Sequence, residues 1–445
     1  MNAVLKLFVQ LAIMILIVIP YFVKAQQPAI QFFRQNSKNG LNVFENIKSD
    51  TTTFNGMKVR VGGNFTQDFQ ALEHQNNADS VVLNNVNTNQ LVNLTHGFNL
   101  AMANLNIDAQ LYDGVRVNLT MYLSTRHHEE TWVKGGYVQF DKLTFLKSDV
   151  IDNIMKSFTL KIGDFEVDYG DQHFRRSDGG NTFFNPFAEN YIMDEFSTEI
   201  GGEVYFLPKC GFIAMAGITN GELNPTVIAP SKIDSATGEV NKYPPAFHGK
   251  IGYDKQFNED FRFRITGSAY LVKSANNNTL FGGDRTGSHY FYVLENTLAT
   301  TDGNAFSGRY NPQFRQQVTT FMLNPFIKYK GLEFFGTYEM AKGRLITEKD
   351  MRTATQYAVD LIYRFPAEKE NFWIGGRYNS VMATLPFNST DITIARMAGS
   401  IGWFLTKNIM MKAEYVNQEY KNFVATDIRS GGKFDGVLVE ASIAF

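Results

Sequence analysis

The sequence predicts an all-β chain closed into a transmembrane, antiparallel, up-and-down β-barrel of about sixteen strands, with eighteen as the alternative. Three observations carry that expectation. Apolar and polar residues alternate with period two from about residue 57 to Phe445, the connections between alternating segments switch regularly between very short and long, and the N-terminus has the form of an export signal.

Composition fits such a wall. Aromatic residues are 14% of the 445 and charged residues only 19%, so the surface must be aromatic and poorly charged, which suits lipid better than water. A formal net charge of −2 gives no basic field to attract nucleic acid. A single cysteine, Cys210, allows no intrachain disulfide, so hydrogen-bonded closure has to supply the stability.

Lys6 precedes a run from Leu7 to Ile19 that is apolar but for Gln10, followed by Pro20 and by Val23-Lys24-Ala25 before Gln26-Gln27. That run falls short of the ~20 residues a membrane-spanning helix needs, so residues 1–25 read as a signal peptide and not as an anchor. Residues 26–55 then form a periplasmic N-terminal segment, and residues 56–445 the barrel.

The first alternating segment sets Val59, Val61, Phe65 and Phe69 against Lys58, Arg60, Asn64, Thr66 and Asp68. Val115, Val117, Leu119, Met121 and Leu123 alternate with Arg116, Asn118, Thr120, Tyr122 and Ser124, and Phe261, Phe263 and Ile265 alternate with Arg262, Arg264 and Thr266. Alternation alone would also fit a soluble sandwich. The connections discriminate, because short ones near 109–114, 208–210, 257–260, 330–331, 366–370 and 406–408 take turns with long polar ones near 70–92, 168–197, 219–245, 273–317, 341–352, 380–393 and 418–433. Short periplasmic turns and long extracellular loops describe an outer-membrane barrel.

Placing every short turn on one rim gives strands near 57–69, 93–108, 112–124, 132–141, 157–167, 198–207, 211–218 and 246–256. The remainder fall near 261–272, 318–329, 332–340, 353–365, 371–379, 394–405, 408–417 and 434–445. The even count requires residues 288–294 to belong to a loop; a real strand there, with a partner, would give the eighteen-stranded alternative. Pro325 is acceptable only at a bulge or rim, and residues 142–156 are long enough for a short helix.

Val437, Val439, Ala441, Ile443 and the terminal Phe445 share one face of the last strand. This strand resembles the signal by which outer-membrane barrels are recognised by their insertion machinery, with Phe445 and Ile443 as its carriers. In topology, loop position and terminal strand the chain is similar to sixteen-stranded Gram-negative porins. It is most similar to porins of the phosphate-selective O/P-like type, through Leu160-Lys161-Ile162-Gly163-Asp164-Phe165, Tyr169-Gly170 and Arg175-Arg176. The resemblance implies that the loop at 168–197 folds into the pore as a constriction, with Asp171, His173, Arg175, Arg176 and Asp178 at the narrowing. The alternative for Arg175 and Arg176 is anchoring in an exposed loop. By analogy with sixteen-stranded porins a homotrimer is expected.

Sixteen strands enclose a lumen too wide for wall side chains to fill, which points to transport. The polar faces place Lys58, Arg60, Arg116, Lys161, Arg262, Arg264, Lys328, Arg364, Arg377, Arg396 and Lys412 inward, against Asp68, Glu333, Glu339, Asp360, Glu414 and Glu440. Of these, Arg60, Arg116, Arg262, Arg264, Arg364, Arg377 and Arg396 are the expected pore lining. The cationic excess predicts a diffusion porin for small hydrophilic solutes, anionic or neutral, with a mild anion preference.

No catalytic site, metal site or cofactor is expected. The seven histidines are scattered, no Gly-x-Ser-x-Gly occurs, and His127-His128-Glu129-Glu130 reads as solvated loop. Two other functions remain open: a barrel plugged by the Phe-rich residues 26–55 that transports hydrophobic solutes, and a surface-binding or secretion-associated barrel acting through the loop at 273–317.

Overall fold

A strand with one apolar and one polar face leaves its backbone unpaired in lipid unless the sheet closes on itself. The computed structural model shows that closure and describes residues 27–46, 48–99, 101–124, 131–304, 306–387 and 390–445. The expected signal peptide at 1–25 and the His127–Glu130 stretch lie outside the described residues.

The strands follow in chain order. They are β1 (Lys58–Gln75), β2 (Met102–Tyr112), β3 (Val115–Ser124), β4 (Thr131–Phe140), β5 (Phe158–Glu166), β6 (Thr198–Phe206), β7 (Phe212–Thr219) and β8 (Ala246–Gln256). The second half comprises β9 (Phe261–Val272), β10 (Gln317–Tyr329), β11 (Leu332–Arg344), β12 (Arg352–Phe365), β13 (Phe372–Thr384), β14 (Asp391–Thr406), β15 (Ile409–Lys421) and β16 (Lys433–Ala444). Each pairs antiparallel with its sequence neighbour, and β16 returns to β1 over Asn64↔Ala444 to Gln75↔Lys433. The result is a sixteen-stranded up-and-down barrel. No helix among the described residues is long and apolar enough to cross a membrane.

The alternation points as expected along the middle of the strands. Phe65, Ile251, Leu361, Ile401 and Ile443 are exposed outward, whereas Asp68, Arg264, Asp360, Ser400 and Glu440 are buried inward. Residues 288–294 form no strand, and residues 142–156 hold a helical turn (Thr144–Leu146) and helix α1 (Asp149–Met155). Pro325 sits where the β10–β11 register lapses between Leu323↔Tyr338 and Phe326↔Phe335; there the Asn324 side-chain amide donates to Gly336 O at 3.2 Å, so the missing N–H leaves no orphan.

Several boundaries differ. The strand expected at 93–108 pairs only through Gly97–Phe98 before β2 begins at Met102, and β1, β11, β13 and β15 run further toward the long loops than alternation shows. The reason is that their inward residues turn apolar there. Leu72, Ala341, Val381, Ala383, Val416 and Tyr420 join a buried core inside the barrel, so polarity stops alternating while backbone pairing continues.

That core exists because the lumen is filled. Residues 27–46 and 48–57 lie across the turn-side mouth, where Gln31 Oε1 accepts from Gly114 N at 2.8 Å and Lys48 donates to Asp141 O at 2.8 Å. The loop after β5 crosses the middle. The loop after β9 folds in above it, with Phe196 N donating to Leu280 O at 2.8 Å and Tyr310 N to Ile192 O at 2.7 Å.

Candidate functional site

A loop that enters a barrel must find partners for its own backbone. The wall supplies them residue by residue. Asp171 N donates to Asn324 Oδ1 (2.8 Å), Ala188 N to Glu414 Oε2 (2.8 Å), Ile192 N to Asn379 Oδ1 (2.6 Å) and Met193 N to Gln356 Oε1 (3.0 Å). The carbonyls are met by cations and an indole. Lys412 Nζ donates to Asn185 O (3.0 Å) and Phe187 O (2.8 Å), Arg377 to Glu189 O (2.8 Å), Arg396 to Asn190 O (2.6 Å) and Trp373 Nε1 to Pro186 O (3.1 Å). The far turn of the loop touches β1 and β2 through Gly180, where a Cβ would lie 2.5 Å from Asn64 O and 2.6 Å from Ala103 Cα. Thr66 Oγ1 donates to Gly180 O at 2.8 Å from the same wall.

The loop is thereby cinched against β9–β16, and a cavity of about 290 Å³ remains beside β2–β6. One wall carries Asn104, Asn106, Arg116, Asn118, Lys134, Tyr137, Lys161, Asp164 and Glu166; the opposite face is Phe33, Arg34, Phe44, Phe174, His173, Arg176 and Phe184. Its charges are mostly paired: Arg116 with Asp108 at 3.2 Å, Lys161 with Glu203 at 3.2 Å, Arg176 with Asp194 at 2.6 Å and Lys134 with Asp178. Arg34 is different. Its guanidinium lies 3.8 Å from the Phe184 ring centroid and donates to Gly40 O and Phe174 O, with no carboxylate in an ion pair among the described residues. Burial lowers its pKa to about 9, so it stays charged at neutral pH.

His173 stands at the same cavity with Nε2 2.8 Å from Asp168 and Nδ1 3.6 Å from Glu166. Burial disfavours its charge, but the two carboxylates outweigh burial and hold its pKa above the ordinary histidine range. Asp171 is held low, at about 2, because Arg264 and Lys250 overcome the opposing effect of burial.

Of the five residues expected at the constriction, His173, Arg176 and Asp178 line this cavity. Asp171 and Arg175 point away from it: Asp171 binds Arg264 at 2.7 Å, and Arg175 binds Glu333 at 3.3 Å and Asn42. Among the seven arginines expected to line the pore, Arg116 alone borders the cavity, while Arg60 lies 5.3 Å from the Phe33 ring near the mouth. Arg262 pairs with Asp254 at 2.6 Å, Arg264 with Glu45 at 2.6 Å, Arg364 with Glu333 at 2.9 Å and Arg377 with Asp360 at 2.7 Å. Arg396 donates to loop carbonyls. All five bind protein groups; Arg264, Arg364, Arg377 and Arg396 are buried, and Arg262 is partly exposed. Phe445 and Ile443 lie outward and exposed at the turn-side end of the closure seam.

Lys134 could not be found from alternation. Thr120 pairs with Gly135 and Met121 with Val133, so Lys134 is the extra residue of a β-bulge, and inward positions change from Lys134 to Tyr137 and Gln139 across it. Arg34 and Phe33 were legible only as members of a Phe-rich segment long enough to enter the barrel.

No protein family's sequence profile matches the chain, and no curated protein matches it in sequence. Among solved structures it is similar to OmpT, an outer-membrane protein of Vibrio cholerae in its trimer form, at 10% identity over 88% of this chain and 100% of that one, with a TM-score of 0.50. The outer-membrane channel DcaP of Acinetobacter baumannii matches at 11% identity over 88% and 99% of the two chains, again with a TM-score of 0.50. An anion-selective porin from Comamonas acidovorans matches at 10% identity over 87% and 100%, with a TM-score of 0.48. The likeness is one of fold: the chain has the architecture of outer-membrane barrels.

Proposed function

We propose that the protein is a diffusion porin of a Gram-negative outer membrane, passing small hydrophilic solutes along the β2–β6 wall with a mild preference for anions. The observation that carries this reading is the polar, charge-lined cavity left between that wall and the segments filling the rest of the barrel. The anion preference is supported by Arg34 and Arg60, which hold no ion pair among the described residues. Asp164 near the loop side is their counterweight, which keeps the preference mild. The likeness of residues 160–176 to phosphate-selective porins agrees with an anionic solute, but without dense basic repeats it does not single out phosphate. Export through a signal peptide at 1–25, insertion guided by Phe445 and Ile443, and assembly into a homotrimer complete the proposal; the trimer form of the Vibrio cholerae neighbour supports the last.

A plugged transporter of hydrophobic solutes is the second reading, favoured by Phe33, Phe44, Phe174 and Phe184 along one side of the cavity. Solute uptake into proteoliposomes separates the two. A porin admits small sugars and carboxylates at rates that fall steeply with solute size. Exclusion of every hydrophilic solute, with uptake of an apolar one, would overturn it.

A further inference from the structure

Asp68 on β1 and Glu440 on β16 stand directly opposite each other across the seam where the last strand closes on the first. Two carboxylates in a cross-strand pair repel. Both are buried, and among the described residues of the wall only Lys412 forms an ion pair with either, 2.8 Å from Glu440 Oε1. From the loop after β9, His289 reaches in, with Nδ1 2.6 Å from Asp68 Oδ2 and 3.5 Å from Glu440 Oε2. Asp68 Oδ1 and both carboxylate oxygens of Glu440 accept no hydrogen bond, Lys412 meeting Oε1 as an ion pair. One ligand atom from each of the three residues lies within 4.8 Å of the others.

We propose that Asp68, His289 and Glu440 bind a divalent transition-metal ion of the zinc class, tying the loop after β9 to the closure seam. One imidazole nitrogen with two carboxylate oxygens suits zinc, which takes such ligands at about 2.0–2.2 Å, whereas calcium and magnesium prefer oxygen alone. The ring is already aimed. His289 N donates to Glu189 Oε2 at 2.6 Å and Asn99 Nδ2 donates to His289 O at 2.8 Å, so the loop residue is fixed at both backbone groups. Lys412 holds Oε1 and leaves Oε2 to the ion. On binding, the contact between His289 Nδ1 and Asp68 gives way to metal–nitrogen and metal–oxygen bonds, any proton on Nδ1 passes to solvent, and no electron moves. Three protein ligands leave a fourth position for water. The residues are so far apart in sequence that no spacing motif announces them.

The test uses full-length folded protein in detergent, stripped with a chelator and titrated with Zn²⁺ by calorimetry and with Co²⁺ by visible absorption. One site per chain is expected, with affinity falling at least about tenfold in His289→Gln and in Glu440→Gln, and with cobalt absorption intensified in the native protein only. His289 lies outside the strand ladder, so His289→Gln leaves barrel closure intact. No zinc uptake by the native protein would overturn the proposal. So would equal stoichiometry and affinity in the native protein and both variants, which would put the ion on other histidines.

Discussion

Lys134 shows how one backbone irregularity decides which side chain borders the cavity. The bulge between β3 and β4 turns its ammonium inward, 5.0 Å from the Tyr122 ring and 4.8 Å from the Phe196 ring, and against Asp178. Replacing it with methionine keeps the volume and removes the charge, leaving Asp178 with Arg176 at 3.5 Å as its cation among the described residues and the Tyr122 hydroxyl at 3.3 Å. The reversal potential in a salt gradient is expected to move toward cation preference in Lys134→Met; an unchanged potential would remove Lys134 from the solute path. Arg377 acts structurally. It neutralises the buried Asp360 and donates to Glu189 O, so Arg377→Ala leaves a buried carboxylate alone and is expected to destabilise the folded protein by about 3–5 kcal/mol. Denaturant unfolding in detergent checks this, and a loss below about 1 kcal/mol, the range of an exposed pair, would show that the pair is not buried in solution.

At the scale of elements, the segment before β1, the loop after β5 and the loop after β9 fill the lumen together. His173 clamps that loop to Asp168 and Glu166. Because its folded pKa is raised above 6.5, the stability it contributes is fully present below that value and is lost as pH rises through the folded value. Open-channel noise is therefore expected to grow as pH rises above about 6.5, and His173→Gln is expected to abolish that dependence. An identical pH profile in the variant would assign the effect elsewhere. The loop's location and three of its cavity residues were legible from its length, aromatic cluster and place after the fifth strand. The ends of β1, β11, β13 and β15 were not, because inward residues there are apolar and the pattern that marks a half-wet strand disappears.

For the molecule as a whole, sixteen strands, one closure seam and an apolar outer belt followed from period-two alternation and from the rhythm of short and long connections. What alternation cannot report is what an inward residue meets. Arg264, Arg364 and Arg396 face inward as the sequence indicates, yet they bind carboxylates and loop carbonyls because the chain fills its own lumen. An excess of inward cations thus measures how much loop there is to hold, as well as what a solute encounters. The charges that border the cavity are those along β2–β6, with Arg34 and Glu45 from the segment before β1 and Asp168, His173, Arg176 and Asp178 from the loop after β5.

Single-channel conductance in planar bilayers, compared between the native protein and a form lacking residues 27–55, tests the proposal that a filled barrel conducts along β2–β6. The barrel ladder does not use those residues, so both forms are expected to insert. The expected result is small ohmic steps from the native protein and steps several-fold larger from the shortened one, with anion preference weakened by the loss of Arg34. Silence from both folded forms, or equal steps from both, would contradict it.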